Sequence, residues 1–173
     1  MKINIRLIGG IGILFAVSSL VACGTIIHGT KQKVDIEVEK ARVKSVVDQF
    51  EQFWETEDMR LFSRIIAHDA DMVNYGTDAA EHFVGWEALK ESVEKMLPSF
   101  ENTKLTAKDQ VIKVHPSGNM AWFSEVVDWD GVAEGKPVRI GFRLTGVLEK
   151  RNDNWVFVQF HASVPVAGQA MPN

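Results

Sequence analysis

Cysteine and tyrosine each occur once among the 173 residues, and both scarcities carry meaning. A single cysteine forbids a disulfide within one chain, so packing must hold the fold together. The lone tyrosine, Tyr75, is the only phenol available to a site. Other signals are missing altogether. The five histidines, His28, His68, His82, His115 and His161, have no ligand spacing, and there is no zinc signature, phosphate-binding loop, dinucleotide fingerprint or nucleophile elbow. The expectation is therefore no metal and no cofactor. There is no internal repeat and no low-complexity tract. Positive charge is also short: without Lys2 and Arg6 the 19 Lys and Arg fall to 17, against 23 Asp and Glu, a net charge of −6. A nucleic-acid partner leaves a basic footprint, and none is present.

What is present begins at the N-terminus. Lys2 and Arg6 precede an uncharged apolar run from Leu7 to Leu20, and small residues then lead into Cys23. This is the layout of a cleavable secretory signal. The run is short for a spanning helix, which needs about 20 apolar residues. Leu20-Val21-Ala22-Cys23 resembles the lipobox of bacterial lipoproteins. The resemblance implies removal of residues 1–22, acylation of Cys23 as the first mature residue, and a lipid-anchored cell-envelope location, facing the periplasm if the source has two membranes. Gly24 after the cysteine implies the outer membrane if the source has two. Residues 23–33 then form a lipidated cysteine and tether, 34–165 a domain, and 166–173 a loose tail.

The domain changes period midway. Val43, Val46, Val47, Phe50, Phe53 and Trp54 recur at helical spacing and predict a helix from about Val34 to Thr56. Asp58 caps a second, short helix carrying Leu61, Phe62, Ile65 and Ile66. Asp71–Tyr75 and His82–Val84 read as short strands, and Trp86–Leu97 as a third helix stopped by Pro98. Four strands follow, at Thr106–His115, Met120–Asp130, Val138–Lys150 and Trp155–Ser163. Pro116-Ser117-Gly118-Asn119 and Arg151-Asn152-Asp153-Asn154 are turns between them, and Gly131–Pro137 is a looser connection. Helices followed by hairpin-linked strands predict an α+β fold.

Several local stretches carry a likeness. Asp71-Met72-Val73-Asn74-Tyr75-Gly76-Thr77-Asp78, Phe83-Val84-Gly85-Trp86-Glu87-Ala88-Leu89, Ser117-Gly118-Asn119-Met120-Ala121-Trp122, Arg143-Leu144-Thr145-Gly146-Val147-Leu148 and the closing Trp155–Ser163 segment occur in this order. Together they resemble the SnoaL-like group of the nuclear-transport-factor-2-like (NTF2-like) superfamily. The Phe160-His161-Ala162-Ser163 ending also resembles the association domain of calmodulin-dependent kinase II. The resemblance implies a cone: N-terminal helices against a curved, mainly antiparallel sheet, with a pocket between them. It does not fix a function, because this fold hosts isomerases, dehydratases, cyclases and scaffolds.

Strand alternation then nominates a pocket face. Trp155, Phe157, Gln159 and His161 share one side of the last strand, and Arg139, Gly141, Arg143 and Thr145 one side of the strand before it. Each strand's other side is wholly apolar. Ligand pockets mix aromatic walls with a few polar groups, so the mixed sets are expected to face inward. Arg143 would receive a carboxylate through its planar fork, as the kinase-hub resemblance implies, or else pair with Asp71 or Asp128. The ligand-binding candidates are Arg143, Thr145, Gln159, His161, Tyr75, Trp122, Phe157, Trp54 and Phe83. The catalytic candidates are His161 as acid or base, Tyr75 as a hydroxyl donor and Asp71 as a carboxylate base. Asp69 reads as a helix-end residue, and Trp129 as exposed.

The expected function is a lipid-anchored envelope protein that binds a small, partly apolar molecule, carboxylate-bearing ligands included. Two alternatives stay open. One is an isomerase, dehydratase or hydrolase built on His161, Tyr75 and a carboxylate. The other is a non-catalytic oligomeric scaffold. A homodimer is expected through the apolar set Ile140, Phe142, Leu144, Val156, Val158 and Phe160, taken as the outer face of the sheet.

Overall fold

Each helix starts at a cap that the sequence supplies. In the computed structural model, which describes residues 34–167, Asp35 opens α1 (Ile36–Thr56) by accepting hydrogen bonds from the Glu37 and Val38 amides. Asp58 opens α2 (Met59–Ile65) by accepting from the Arg60 amide at 2.9 Å. Each carboxylate satisfies donors that the first turn of a helix leaves free. Gly85, at φ 83°, precedes α3 (Trp86–Met96). A Cβ there would stand 2.8 Å from the Ala70 carbonyl oxygen, so close backbone approach as well as backbone angle requires glycine. A 3₁₀ turn containing Pro98 follows α3. No described helix is long and apolar enough to cross a membrane. The signal segment, Cys23 and the tether lie outside the described residues.

The strands are β1 (Val73–Tyr75), β2 (His82–Val84), β3 (Phe100–Val114), β4 (Met120–Ala133), β5 (Lys136–Arg151) and β6 (Asn154–Ser163). They form one open sheet in the order β2-β1-β6-β5-β4-β3. β1 runs parallel to β6, and every other pair is antiparallel. The predicted looser connection is a two-residue turn: Glu134 and Gly135 both take positive φ, and β4 and β5 pair right up to it, Ala133 opposite Lys136. Register shifts interrupt β3 twice and the β5–β6 pairing once. Such bulges bend and twist strands, which suits a sheet curving around helices.

The shift in β6 decides the architecture of the concave face. Leu148 lies opposite Phe157 and Val147 opposite Gln159, so Val158 is an extra residue. Trp155 and Phe157 are buried before the bulge, and Phe160 after it. Unbroken alternation would have grouped Phe157 with Gln159 and His161. On β5 the buried side is Leu144, Gly146 and Leu148, with Phe142 half-buried beside them, while Arg143 and Thr145 are exposed. The expected face assignment is thus inverted for β5 and for the end of β6. Turning Phe142, Leu144 and Phe160 outward would forfeit roughly 2 kcal/mol each and would place an unpaired guanidinium inside.

α1 and α2 lie against this face, with Val43, Val47, Phe50 and Phe53 of α1 and Leu61, Phe62 and Ile65 of α2 in the core. The β5–β6 hairpin is tied to α1 through Glu39, which is nearly buried. Glu39 accepts from the Trp155 indole N–H at 2.8 Å and from the Lys150 ammonium at 2.7 Å. Burial opposes ionisation of Glu39, but the hydrogen bonds from Lys150 and Trp155 and the charges of Lys150 and Arg42 outweigh it. Its pKa falls below the usual carboxylate value.

Candidate functional site

The inversion leaves an apolar cavity of about 140 Å³ between the helices and the sheet. α1 contributes Phe50 and Trp54, α3 contributes Leu89, Val93 and Met96, and β3 contributes Phe100 and Leu105. The sheet floor is Trp129 of β4, Phe142 and Leu144 of β5, and Phe160 and Ala162 of β6. Phe83 of β2 and the turn residues Gly76, Thr77 and Glu81 complete the lining. An apolar void of roughly 150 Å³ suffices for a benzene-sized guest. Lined by seven aromatic rings, this cavity is built for flat or branched apolar groups.

Thr77 and Glu81 are the polar side chains of the lining. The β1–β2 turn fixes the position of Glu81. Its carbonyl accepts from the Gly76 amide at 2.9 Å, its own amide donates to Asp78, and its Oε2 accepts from the Asp78 amide at 2.9 Å. A Cβ at position 76 would lie 2.1 Å from Oε2, so the carboxylate rests on space that only glycine leaves open.

Of the residues nominated from sequence, Trp54 and Phe83 line the cavity. Phe157 is fully buried behind it, its ring 5.3 Å from that of Phe50. The other candidates are not gathered there. Arg143 is exposed on the outer face, in register with Val126 and Ser163, and has no hydrogen-bond or ion-pair partner among the described residues. Asp128, one of its expected partners, is instead held by Lys108 and Arg139. Thr145 and His161 are exposed opposite each other, and Gln159 is half-buried. Tyr75 is 44% exposed, stacked on His82 at 4.9 Å and edge-on to His161 at 5.7 Å. Trp122 is 46% exposed. Asp71 is exposed in the turn before β1. Asp69 makes a two-pronged ion pair with Arg151, both distances 2.7 Å, and that hydrogen-bonded guanidinium holds its pKa below the usual value.

Several lining residues were not anticipated. Trp129, expected to be exposed, is 9% exposed and walls the cavity. The sequence did contain its signal: Ala121, Phe123, Val127 and Trp129 share one parity of β4 and all are buried. The same parity places Glu125 inside, 4% exposed. It sits beside the cavity wall, directly opposite Leu144 in the β4–β5 register. Gln110 Nε2 donates to its Oε2 at 2.8 Å. Glu51 of α1 lies close enough for its charge to act on it, and one oxygen of each carboxyl is buried without a hydrogen-bond partner among the described residues. Burial is the main reason that the Glu125 pKa rises to about 7. The Gln110 amide pulls it down, while the charges of Glu51 and Asp48 push it up. Burial and the nearby Asp48 likewise raise Glu51. Below neutrality Glu125 therefore keeps its proton well above the ordinary carboxylate range.

Three helices against a curved, open six-stranded sheet, with a cavity between them, define the α+β cone class. Among curated proteins no sequence relative matches the chain. Solved structures do match. One is an NTF2-like superfamily protein from Salmonella enterica serovar Typhimurium, 19% identical with a TM-score of 0.70, covering 79% of this chain and 99% of that one. Another is a provisional dehydratase of the NTF2-like family from Streptomyces avermitilis, 16% identical with a TM-score of 0.67, covering 76% and 99%. A third is a provisional calcium/calmodulin-dependent protein kinase II association domain from Xanthomonas campestris, 20% identical with a TM-score of 0.63, covering 73% and 87%. At these identities the likeness establishes the fold. Residues 43–167 match the family model of the SnoaL-like domain. The chain belongs to the SnoaL-like domain family.

Proposed function

We propose that this protein is a lipid-anchored, small-molecule-binding domain of the cell envelope whose ligand site is the aromatic cavity. The observation that carries the reading is the lining: seven aromatic rings and a set of aliphatic side chains around an open volume, with two polar side chains at its turn side. The candidates for an enzymatic reading, His161, Tyr75 and Asp71, are outside that lining. Binding is therefore the reading favoured over catalysis. The anchor rests on the N-terminal sequence, where Cys23 would carry the lipid and residues 24–33 would tether the domain to the membrane.

Homodimerisation remains part of the proposal, on a different basis from that first expected. Phe142, Leu144 and Phe160 line the cavity and are not available to a partner. The outer face carries exposed Val111, Met120, Trp122 and Val126 on β3 and β4 instead. Exposed apolar clusters of this kind favour an interface.

Filling the cavity tests the assignment. Ala162→Phe adds a ring inside the lining without altering charge. The parent mature domain should bind toluene, a neutral benzene-sized probe, in ligand-observed NMR, and the folded variant should lose most of that binding. Equal binding by a folded Ala162→Phe protein would place the site elsewhere.

A further inference from the structure

The polarity of the lining specifies more than an apolar ligand. It holds one ionisable side chain, the carboxylate of Glu81, and no lysine, arginine or histidine. Glu81 has no salt-bridge partner among the described residues, and the one hydrogen bond its carboxylate accepts is the Asp78 amide on Oε2. Its side chain is half-buried, and the internally hydrogen-bonded turn from Gly76 to Glu81 sets its position beforehand. The same lining carries aromatic rings, whose faces hold negative electrostatic potential: Trp54, Phe83, Phe100, Trp129, Phe142 and Phe160. A carboxylate ligand would meet a like charge and ring faces of the same sign. An ammonium would meet an unpaired carboxylate and aromatic faces, the two features that recognise organic cations.

We propose that the cavity selects small apolar amines, protonated at neutral pH, with the ammonium at the Glu81 end and the apolar body among the aromatic rings. This rests on the cavity being the ligand site and names the class of ligand that it takes. Gly76 is a positioning residue, because any side chain there would displace the carboxylate.

Three probes of nearly equal size separate the possibilities: benzylamine, benzyl alcohol and benzoate. Ligand-observed NMR on the mature domain at pH 7 gives their relative affinities. Benzylamine should bind about tenfold more tightly than benzyl alcohol, the scale of a partly desolvated cation contact, and benzoate most weakly. Glu81→Gln keeps an acceptor for the Asp78 amide and removes the charge. In that variant the ratio of benzylamine to benzyl alcohol affinity should fall to about one. The parent's ratio should also shrink as salt is raised, an independent check if the variant folds poorly. Equal affinities for amine and alcohol in the parent, a preference for benzoate, or a ratio unchanged by Glu81→Gln would each overturn the amine assignment while leaving the cavity a ligand site. Binding of none of the three would overturn the cavity reading and the amine assignment with it.

Discussion

Replacing Glu125 by glutamine should stabilise the domain at pH 8 and do little at pH 4.5. The folded protein holds the Glu125 proton up to about pH 7, whereas the ordinary value is 4.5. Between those values the unfolded chain releases the proton while the folded one retains it. The folded state then binds more protons, so this group's contribution falls as pH rises through the window and levels off above it. At roughly 1.4 kcal/mol per pH unit the loss reaches about 3 kcal/mol. Glutamine carries no such proton. Its amide oxygen can still accept from Gln110, so the one hydrogen bond of the side chain is kept. The carboxylates with lowered pKa values, Asp69, Asp128 and Asp153, add stability above their ordinary 3.8 and lose it on acidification. They are common to both proteins and cancel in the difference. Urea unfolding followed by tryptophan fluorescence at pH 5, 6.5 and 8 should show the advantage of Glu125→Gln growing towards about 3 kcal/mol, or about 10 °C in Tm. Glu51→Gln should keep a titration at Glu125 but move it to lower pH, because one neighbouring negative charge is gone. An advantage that is constant from pH 5 to pH 9, or a variant less stable than the parent at pH 8, would refute the account of a buried, proton-retaining Glu125.

Three further outcomes are expected. Cys23→Ser should leave unprocessed precursor and abolish fatty-acid labelling, and labelling that persists would end the lipoprotein reading. Trp122→Glu should turn a dimer of the untagged mature domain into a monomer in sedimentation at micromolar concentration, and a parent that is already monomeric would remove the outer-face interface. Gly146→Ala should cost about 2 kcal/mol in denaturant unfolding, since its Cβ would lie 2.6 Å from the Phe123 ring and 2.8 Å from the Gln159 carbonyl oxygen. A loss below about 0.5 kcal/mol would mean that β5 shifts freely there.

The amino-acid sequence by itself determined the elements and their order. Helical spacing in Val43–Trp54, the cap at Asp58, and the positive-φ turn at Asn152-Asp153 are set by neighbours a few residues apart, and local chemistry reports them directly. The family resemblance was legible for a related reason: its motifs mark turns and strand ends. The cavity was legible only in part, through Trp54 and Phe83. Which sheet face turned inward depended on one extra residue, Val158, because a single inserted position exchanges the two sides of a strand. No pattern within β6 shows that bulge, since Val156, Val158 and Phe160 form an unbroken apolar alternation through it. Tertiary packing chose, and it chose by burying Phe142, Leu144 and Phe160 and sending Arg143 and His161 to water. The meeting of Glu51 with Glu125 was likewise decided in three dimensions. They belong to a helix and a strand far apart in the chain, and only the packing of α1 against the sheet buries Glu125 and brings the charge of Glu51 near it.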